Sequence, residues 1–246
     1  MNPATRISPQ SFIPGHFLKA IALGLLLPAV SWSGGIAPIA PAQATLTSAA
    51  QLRQQGLQLR QQGDLTEAIA VLQQAVEQEP SHLNGRVLLG WTLHKAGDRD
   101  RAAQELVDVV IRNPFQVEAW NALGIVDLVA GNIHSSVASH SWAVMLKPKN
   151  EIAHYNLSLA LHRLQDYDRA LLHAERATQL EPENPHPWIA KAIAQLGQGK
   201  RPEAIVTLQA GLALNAGLQD SSFLKLDLQE AGFSEEQIDL VASLKN

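Results

Sequence analysis

The sequence contains no cysteine, so neither a disulfide nor a thiolate metal or redox site is available to it. Aromatic residues are scarce at 5%, while alanine, leucine and glutamine are abundant, a balance that favours helices over sheets. Positive charge is also short. The first 44 residues carry two cations, Arg6 and Lys19, and no acid; the remainder carries 17 Lys and Arg against 23 Asp and Glu. Nucleic-acid binding relies on a cationic surface, so this balance argues against it and leaves protein partners open. A long unbroken apolar run is missing too. Residues 20–30 form a short one, and Pro28, Gly34, Gly35, Pro38 and Pro41 interrupt its continuation. A spanning helix needs about twenty apolar residues.

What that N-terminus does have is the layout of a secretory signal peptide. Arg6, His16 and Lys19 lead into the apolar run, and the small-x-small site Ala42-Gln43-Ala44 precedes Thr45. Cleavage after Ala44 is the expectation, although the stretch between Val30 and Ala44 is long for a cleavage region. A membrane anchor within residues 20–44 is the alternative. No twin arginine is present.

Beyond it the chain repeats. Pro80, Pro114, Pro148 and Pro182 stand 34 residues apart, and Gly63, Gly97 and Gly131 keep the same spacing, which resumes at Gly199 after skipping Gln165. Ala68, Ala102, Ser136, Ala170 and Ala204 make a third ladder. Each unit reads as two helices, the first over residues 52–60 and the second over 67–76 in the first unit. Glycine ends the first helix in the left-handed conformation, Asp64, Asp98, Asn132 or Asp166 starts the next, and proline stops it. Gly56, Gly90, Gly124 and Ser158 in the first helices are expected to face the small ladder in the second, so that the pair approaches closely. Leu52, Leu72, Leu93, Leu106, Trp120 and Trp188 are among the large residues that fill the space around them.

This pattern resembles the tetratricopeptide repeat. The third unit offers Trp120, Leu123-Gly124, Ser136, His140, Ala143 and Pro148; the first offers Leu52, Gly56, Leu59, Ala68, Leu72, Ala75 and Pro80. The resemblance implies an all-α, right-handed superhelical solenoid of paired antiparallel helices. Five repeats are expected at about 49–82, 83–116, 117–150, 151–184 and 185–218. Gln55, Lys191, Asp127 and His140 depart from the family's apolar choices, and Ala216 stands where a fifth proline belongs. His140 falls in the core and is expected to be hydrogen-bonded there. Residues 219–246 read as a helical cap over the last repeat. In it Phe223, Leu224, Leu226 and Leu228 supply one helix; Ser234 with Gln237 matches a capping box, and Phe233 with Ile238 a hydrophobic staple.

Motifs that carry chemistry do not emerge. No two of the nine histidines lie three or four apart on one helix, the spacing that brings two imidazoles to one ion, so no metal is expected. No glycine-rich loop follows a strand, and Ser135, Ser136, His140 and Ser141 lack the strained turn and oriented third group of a hydrolase. The expectation is a non-catalytic chain with no cofactor and no small-molecule substrate.

In the tetratricopeptide family the first helices line a concave groove that holds a partner peptide or helix. The row Leu57, Trp91, Ile125, Leu159 and Ile193, one place after the small ladder, is apolar throughout, and the resemblance puts it on the groove floor. Arg53, Arg60, His94, Lys95, Asn121, Tyr155, His162 and Arg163 would stand around it, with Val87, Leu128 and Ile189 as apolar neighbours. A partner polypeptide with an apolar face and some acidic residues follows from that lining. The lysine, arginine and asparagine clamp by which chaperone-binding members hold a C-terminal carboxylate is not present as a set. The alanine- and glutamine-rich style, with an export signal, is similar to tetratricopeptide proteins of photosynthetic bacteria that help assemble envelope or thylakoid complexes. That implies a scaffold in the periplasm or thylakoid lumen. A self-associating structural solenoid and an accessory subunit of an enzyme complex are the alternatives.

Overall fold

Proline and glycine divide the chain where the 34-residue period says they should. The computed structural model describes residues 47–245, which form twelve α-helices and one short 3₁₀ turn. The signal-peptide and cleavage expectations for residues 1–44 lie outside the described residues. Among those described, no helix is long and apolar enough to cross a membrane. Five helix pairs make five repeats: α1 (Ala49–Gln62) with α2 (Leu65–Gln78), α3 (Leu83–Lys95) with α4 (Arg99–Arg112), α5 (Val117–Ala130) with α6 (Ile133–Leu146), α7 (Glu151–Arg163) with α8 (Tyr167–Leu180), and α9 (Pro185–Gly197) with α10 (Arg201–Ala213). The architecture is the all-α solenoid that the period implied.

The turn chemistry works as its residue types suggest. Gly63, Gly97, Gly131 and Gly199 hold φ between 79° and 92°, and Gln165 holds the left-handed conformation at φ 59° where the ladder skips a glycine. Asp98 and Asp166 accept hydrogen bonds from the backbone N–H of Arg101 and Arg169, closing the first turns of α4 and α8. Asp64 and Asn132 occupy the same place without a side-chain cap. After Pro114 and Pro182 the chain is tied again. The indole N–H of Trp120 donates to the Pro114 carbonyl at 2.8 Å, and that of Trp188 to the Pro182 carbonyl at 2.9 Å.

Close helix approach has a more specific cause than small residues facing small residues. A Cβ on Gly56 would stand 2.5 Å from Leu72 Cγ, one on Gly90 2.8 Å from Leu106 Cγ, and one on Gly124 2.6 Å from the His140 ring. The glycines therefore receive the large side chain four residues beyond the small ladder. Ala68, Ala102, Ser136 and Ala170 are fully buried beside them, and Ser136 Oγ donates to the Gly124 carbonyl at 2.9 Å.

The expectation of a hydrogen-bonded His140 needs correction: the ring is fully buried and neither nitrogen makes a hydrogen bond, while the Gly124 carbonyl beside it accepts from Ser136. Burial pushes its pKa down to about 3, so the ring is neutral. Asp127, the other polar departure, is nearly buried; burial raises its pKa, and Asn132 donates to it at 3.4 Å.

The odd-numbered helices touch one another in series from α1 to α9, while the even-numbered ones pack mainly on their sequence neighbours. A stack with one row of helices closer together than the other curves towards that row, so the odd helices line the inner face. After α10 come a 3₁₀ turn (Ala216–Gln219), α11 (Ser221–Glu230) and α12 (Glu235–Lys245). Rather than only closing the end of the fifth repeat, these fold back onto the inner face. Leu218, Leu224, Leu228, Phe233, Ile238, Val241 and Leu244 share one core with Leu128, Leu159, Ile189 and Ile193. Phe223, expected in the cap's apolar face, is 46% exposed instead. The capping box is present: Ser234 N–H donates to Gln237 Oε1 at 3.0 Å, and Gln237 N–H to Ser234 Oγ at 3.3 Å.

Candidate partner-binding groove

The inner face divides at the boundary between repeats three and four. Beyond it, the row of apolar side chains is covered. Leu159, Ile189 and Ile193 are fully buried, and on the near side of the boundary Leu128 of α5, 1% exposed, shares the same core. The polar residues around them bind the chain's own tail. Tyr155 donates its hydroxyl to the Ala231 carbonyl at 2.7 Å. Arg163 donates to the Gly232 carbonyl at 2.6 Å, to the Leu128 carbonyl at 2.8 Å and to Gln237 Oε1 at 3.2 Å. Gln237 is 1% exposed, and its amide donates to the Leu159 carbonyl at 3.2 Å and to His162 Nδ1 at 3.3 Å. Burial presses the His162 pKa down to about 4 and lowers that of Arg163. The expectation of one continuous open stripe therefore needs correction, since its second half is the seat of α11 and α12.

Before the boundary the row is open. Leu57 is 39% exposed, and Trp91 and Ile125 are half-buried. The rim is less uniform than the sequence implied. Arg53 is committed to Glu79 at 2.6 Å. Asn121 exchanges amide bonds with Asn150 at 3.0 and 3.4 Å, which ties α5 to the N-cap of α7. Val87 is buried and belongs to the core of repeats one to three, where Trp91 packs against it from outside. Arg60 and His94 are half-buried, and the Arg60 Nε and His94 Nδ1 atoms are buried without a partner. The Trp91 and His94 rings meet edge-on at 5.8 Å, and Lys95 is exposed. Of the sixteen residues singled out by register, the open groove keeps Leu57, Arg60, Trp91, His94, Lys95 and Ile125 as side chains available to a partner.

Sequence reasoning missed one cluster. His154 and His173, on α7 and α8, approach Nδ1 to Nδ1 at 2.9 Å, and His154 Nε2 reaches the Pro148 carbonyl at 3.3 Å. Spacing rules test neighbours within one helix, and this pair spans two. The 34-residue register could have found it, since His154 falls where Trp120 and Trp188 bind their prolines. Burial, helped by the facing His154, holds His173 near a pKa of 4, and burial lowers that of His154, so both rings are neutral and one Nδ1–H donates to the other Nδ1. Among the described residues no group of three or more His, Asp or Glu is placed to hold a metal ion.

The family pattern of the tetratricopeptide repeat matches residues 59–124 and 161–222, and a second pattern of the same description matches 121–185. The chain belongs to the tetratricopeptide-repeat family. It is 30% identical over 96 residues to human Tetratricopeptide repeat protein 28, covering 39% of this chain and 4% of that one. It is 31% identical over 99 residues to the Hsp70-Hsp90 organizing protein of Triticum aestivum, covering 37% of this chain and 17% of that one. The chain thus spans less than a fifth of the length of these curated relatives. The crystal structure of MamA superposes with a TM-score of 0.61 at 20% identity, over 70% of this chain and 93% of that one. That likeness shows the shared right-handed solenoid. Tetratricopeptide-repeat proteins bind protein partners and are in general non-catalytic scaffolds.

Proposed function

We propose that this tetratricopeptide-repeat protein is a non-catalytic scaffold that holds a partner polypeptide in the open half of its groove, across repeats one to three. The observation that carries the reading is internal to the chain. The same apolar row that is open at Leu57, Trp91 and Ile125 is, at Leu159 and Ile193, already filled by a helix, that of the chain's own tail. A face that packs a helix in one half and continues in kind in the other is suited to a second helix. The partner has an apolar face and carries acidic groups towards Arg60 and Lys95. The tail-bound half and the absence of a clamp set argue against capture of a short C-terminal carboxylate. Export to a periplasm or thylakoid lumen, and a role in assembling complexes there, are part of the same proposal. They rest on the N-terminal layout and on the family resemblance.

The test is Trp91→Ala. Large aromatic side chains dominate interfaces, and their truncation costs about 2 kcal/mol or more of binding. Crosslinking from position 91 in the native compartment identifies the partner, and affinity and thermal unfolding are then measured on the same variant. Lost affinity with a melting temperature within a few degrees supports the groove. Unchanged affinity with a much lower melting temperature places Trp91 in the core and removes the proposal's strongest support. Self-association is the second reading, favoured by an exposed apolar set on the even helices: Ile111, Trp142 and Met145 are 74%, 45% and 59% exposed. Sedimentation of the purified chain decides between the two.

A further inference from the structure

The way the tail is held on repeat four recurs, two repeats earlier, as an unfilled set. On repeat four the Gln237 amide meets the Leu159 carbonyl and His162 Nδ1, while Arg163 donates to the Gly232 carbonyl just ahead of α12. Sixty-eight residues before Leu159, His162 and Arg163 stand Trp91, His94 and Lys95. A large apolar side chain, an imidazole and a cation recur there, while buried Val87 stands in the place of Tyr155, so the hydroxyl bond to the tail has no counterpart. His94 Nδ1, the ring atom that corresponds to the one Gln237 reaches on His162, is buried and has no partner. Lys95 is exposed. The docked tail stops short of this place, because its tip is fixed by Tyr155 at the Ala231 carbonyl and by Arg163 at the Gly232 carbonyl.

The seated tail also specifies what fits. Gln237 is the third residue of α12, where its Oε1 accepts from Ser234 N–H and from Arg163 Nε while its Nε2 donates into the groove. An amide serves both roles; a carboxylate at that place would have no proton for a carbonyl. Phe233, the residue before the cap, is buried in the core and packs near Tyr155, the rings 6.2 Å apart.

We infer that Trp91, His94 and Lys95 form a second latch of this kind on repeat two. Its occupant is an amphipathic helix of a partner polypeptide, seated at its N-terminus, with glutamine at the third position. This rests on the groove reading above and adds the partner's class.

The experiment uses the full chain and, as a stand-in for the partner helix, a synthetic peptide of residues 231–246. Calorimetric titration is expected to show one saturable site. His94→Ala and Lys95→Glu should each weaken it by about tenfold, the size of one lost charge-assisted or buried hydrogen bond. The peptide carrying Gln237→Glu should weaken by a similar factor, and Arg163→Met in the protein should leave the site in place. Lys95 is exposed, so its variant reports even where His94→Ala perturbs folding. No binding at millimolar peptide overturns the latch. Binding that responds to Arg163→Met and not to Lys95→Glu means the peptide has displaced the tail, which also overturns it. A dimer of the free chain that Lys95→Glu abolishes makes a second copy the occupant and overturns the partner assignment. A partner crosslinked at position 91 alongside a failed peptide titration leaves the groove standing and removes only the latch.

Discussion

At position 140 the repeat calls for a leucine, as in Leu72, Leu106 and Leu208, and the chain supplies a histidine with no hydrogen-bond partner. A buried polar group left unpaired costs about 1–3 kcal/mol, so His140→Leu is expected to stabilise the fold by an amount in that range, read by urea unfolding at pH 7. Lower stability would mean the ring is satisfied in solution. The pH dependence has a definite sign. The folded ring titrates near 3 and the unfolded one near its ordinary 6.5, so between those values only the unfolded chain takes up the proton. Stability is complete above about 6.5 and falls as the pH drops towards 3, by up to about 1.4 kcal/mol per pH unit for this group, and His140→Leu should flatten that slope. A second residue-scale conflict is Gln165 in the left-handed region. Gln165→Gly should raise stability by about 0.5–1 kcal/mol, because a side chain pays for positive φ and glycine does not. A thermal scan showing no rise would mean that the Gln165 side chain compensates. Both conflicts were visible in the sequence as gaps in a ladder. That one left an orphaned ring was not, because the geometry of the imidazole against the Gly124 carbonyl is fixed only by packing.

Among elements, the helix pairs and the two capping helices were legible, and the path of those two was not. Proline, glycine and small residues at one period fix where each helix starts, stops and approaches its partner, and those are local or next-neighbour constraints. The apolar residues of α11 and α12 read equally well as a lid on the last repeat. What draws them across the inner face is a set of contacts far apart in sequence, Arg163 with Gly232 and Gln237 with Leu159. Deleting residues 219–246 should therefore expose Leu159, Ile189 and Ile193 together. Amide exchange is expected to quicken across both α7 and α9 while α3 to α5 keep their protection. Acceleration confined to α9 and α10 would restore the simple end cap.

Across the whole molecule the repeats differ in how much they bury. Helix α1 buries Ala49, Leu52 and Gly56, whereas α7 buries nine of its residues. In a solenoid each repeat is stabilised by its neighbours, so protection should rise from repeat one to repeat four and the first repeat should open at the lowest free energy. Exchange rates ordered the other way, or uniform along the stack, would mean the array unfolds as one unit. The open groove lies on the more loosely held repeats. Ordering them is work that a bound helix would have to do, and bound partner should raise protection in α1 to α4 first.

The sequence by itself determined the helix pairs, their number, their turns and the apolar row along the first helices. These follow from short-range sterics repeated every 34 residues, and a period is visible without coordinates. The tertiary structure alone decided which part of that row is available. Leu57, Trp91 and Ile125 are indistinguishable by register from Leu159 and Ile193, and only the path of an unrepeated tail separates them. Burial is a property of what arrives from elsewhere in the chain, and nothing periodic encodes that arrival.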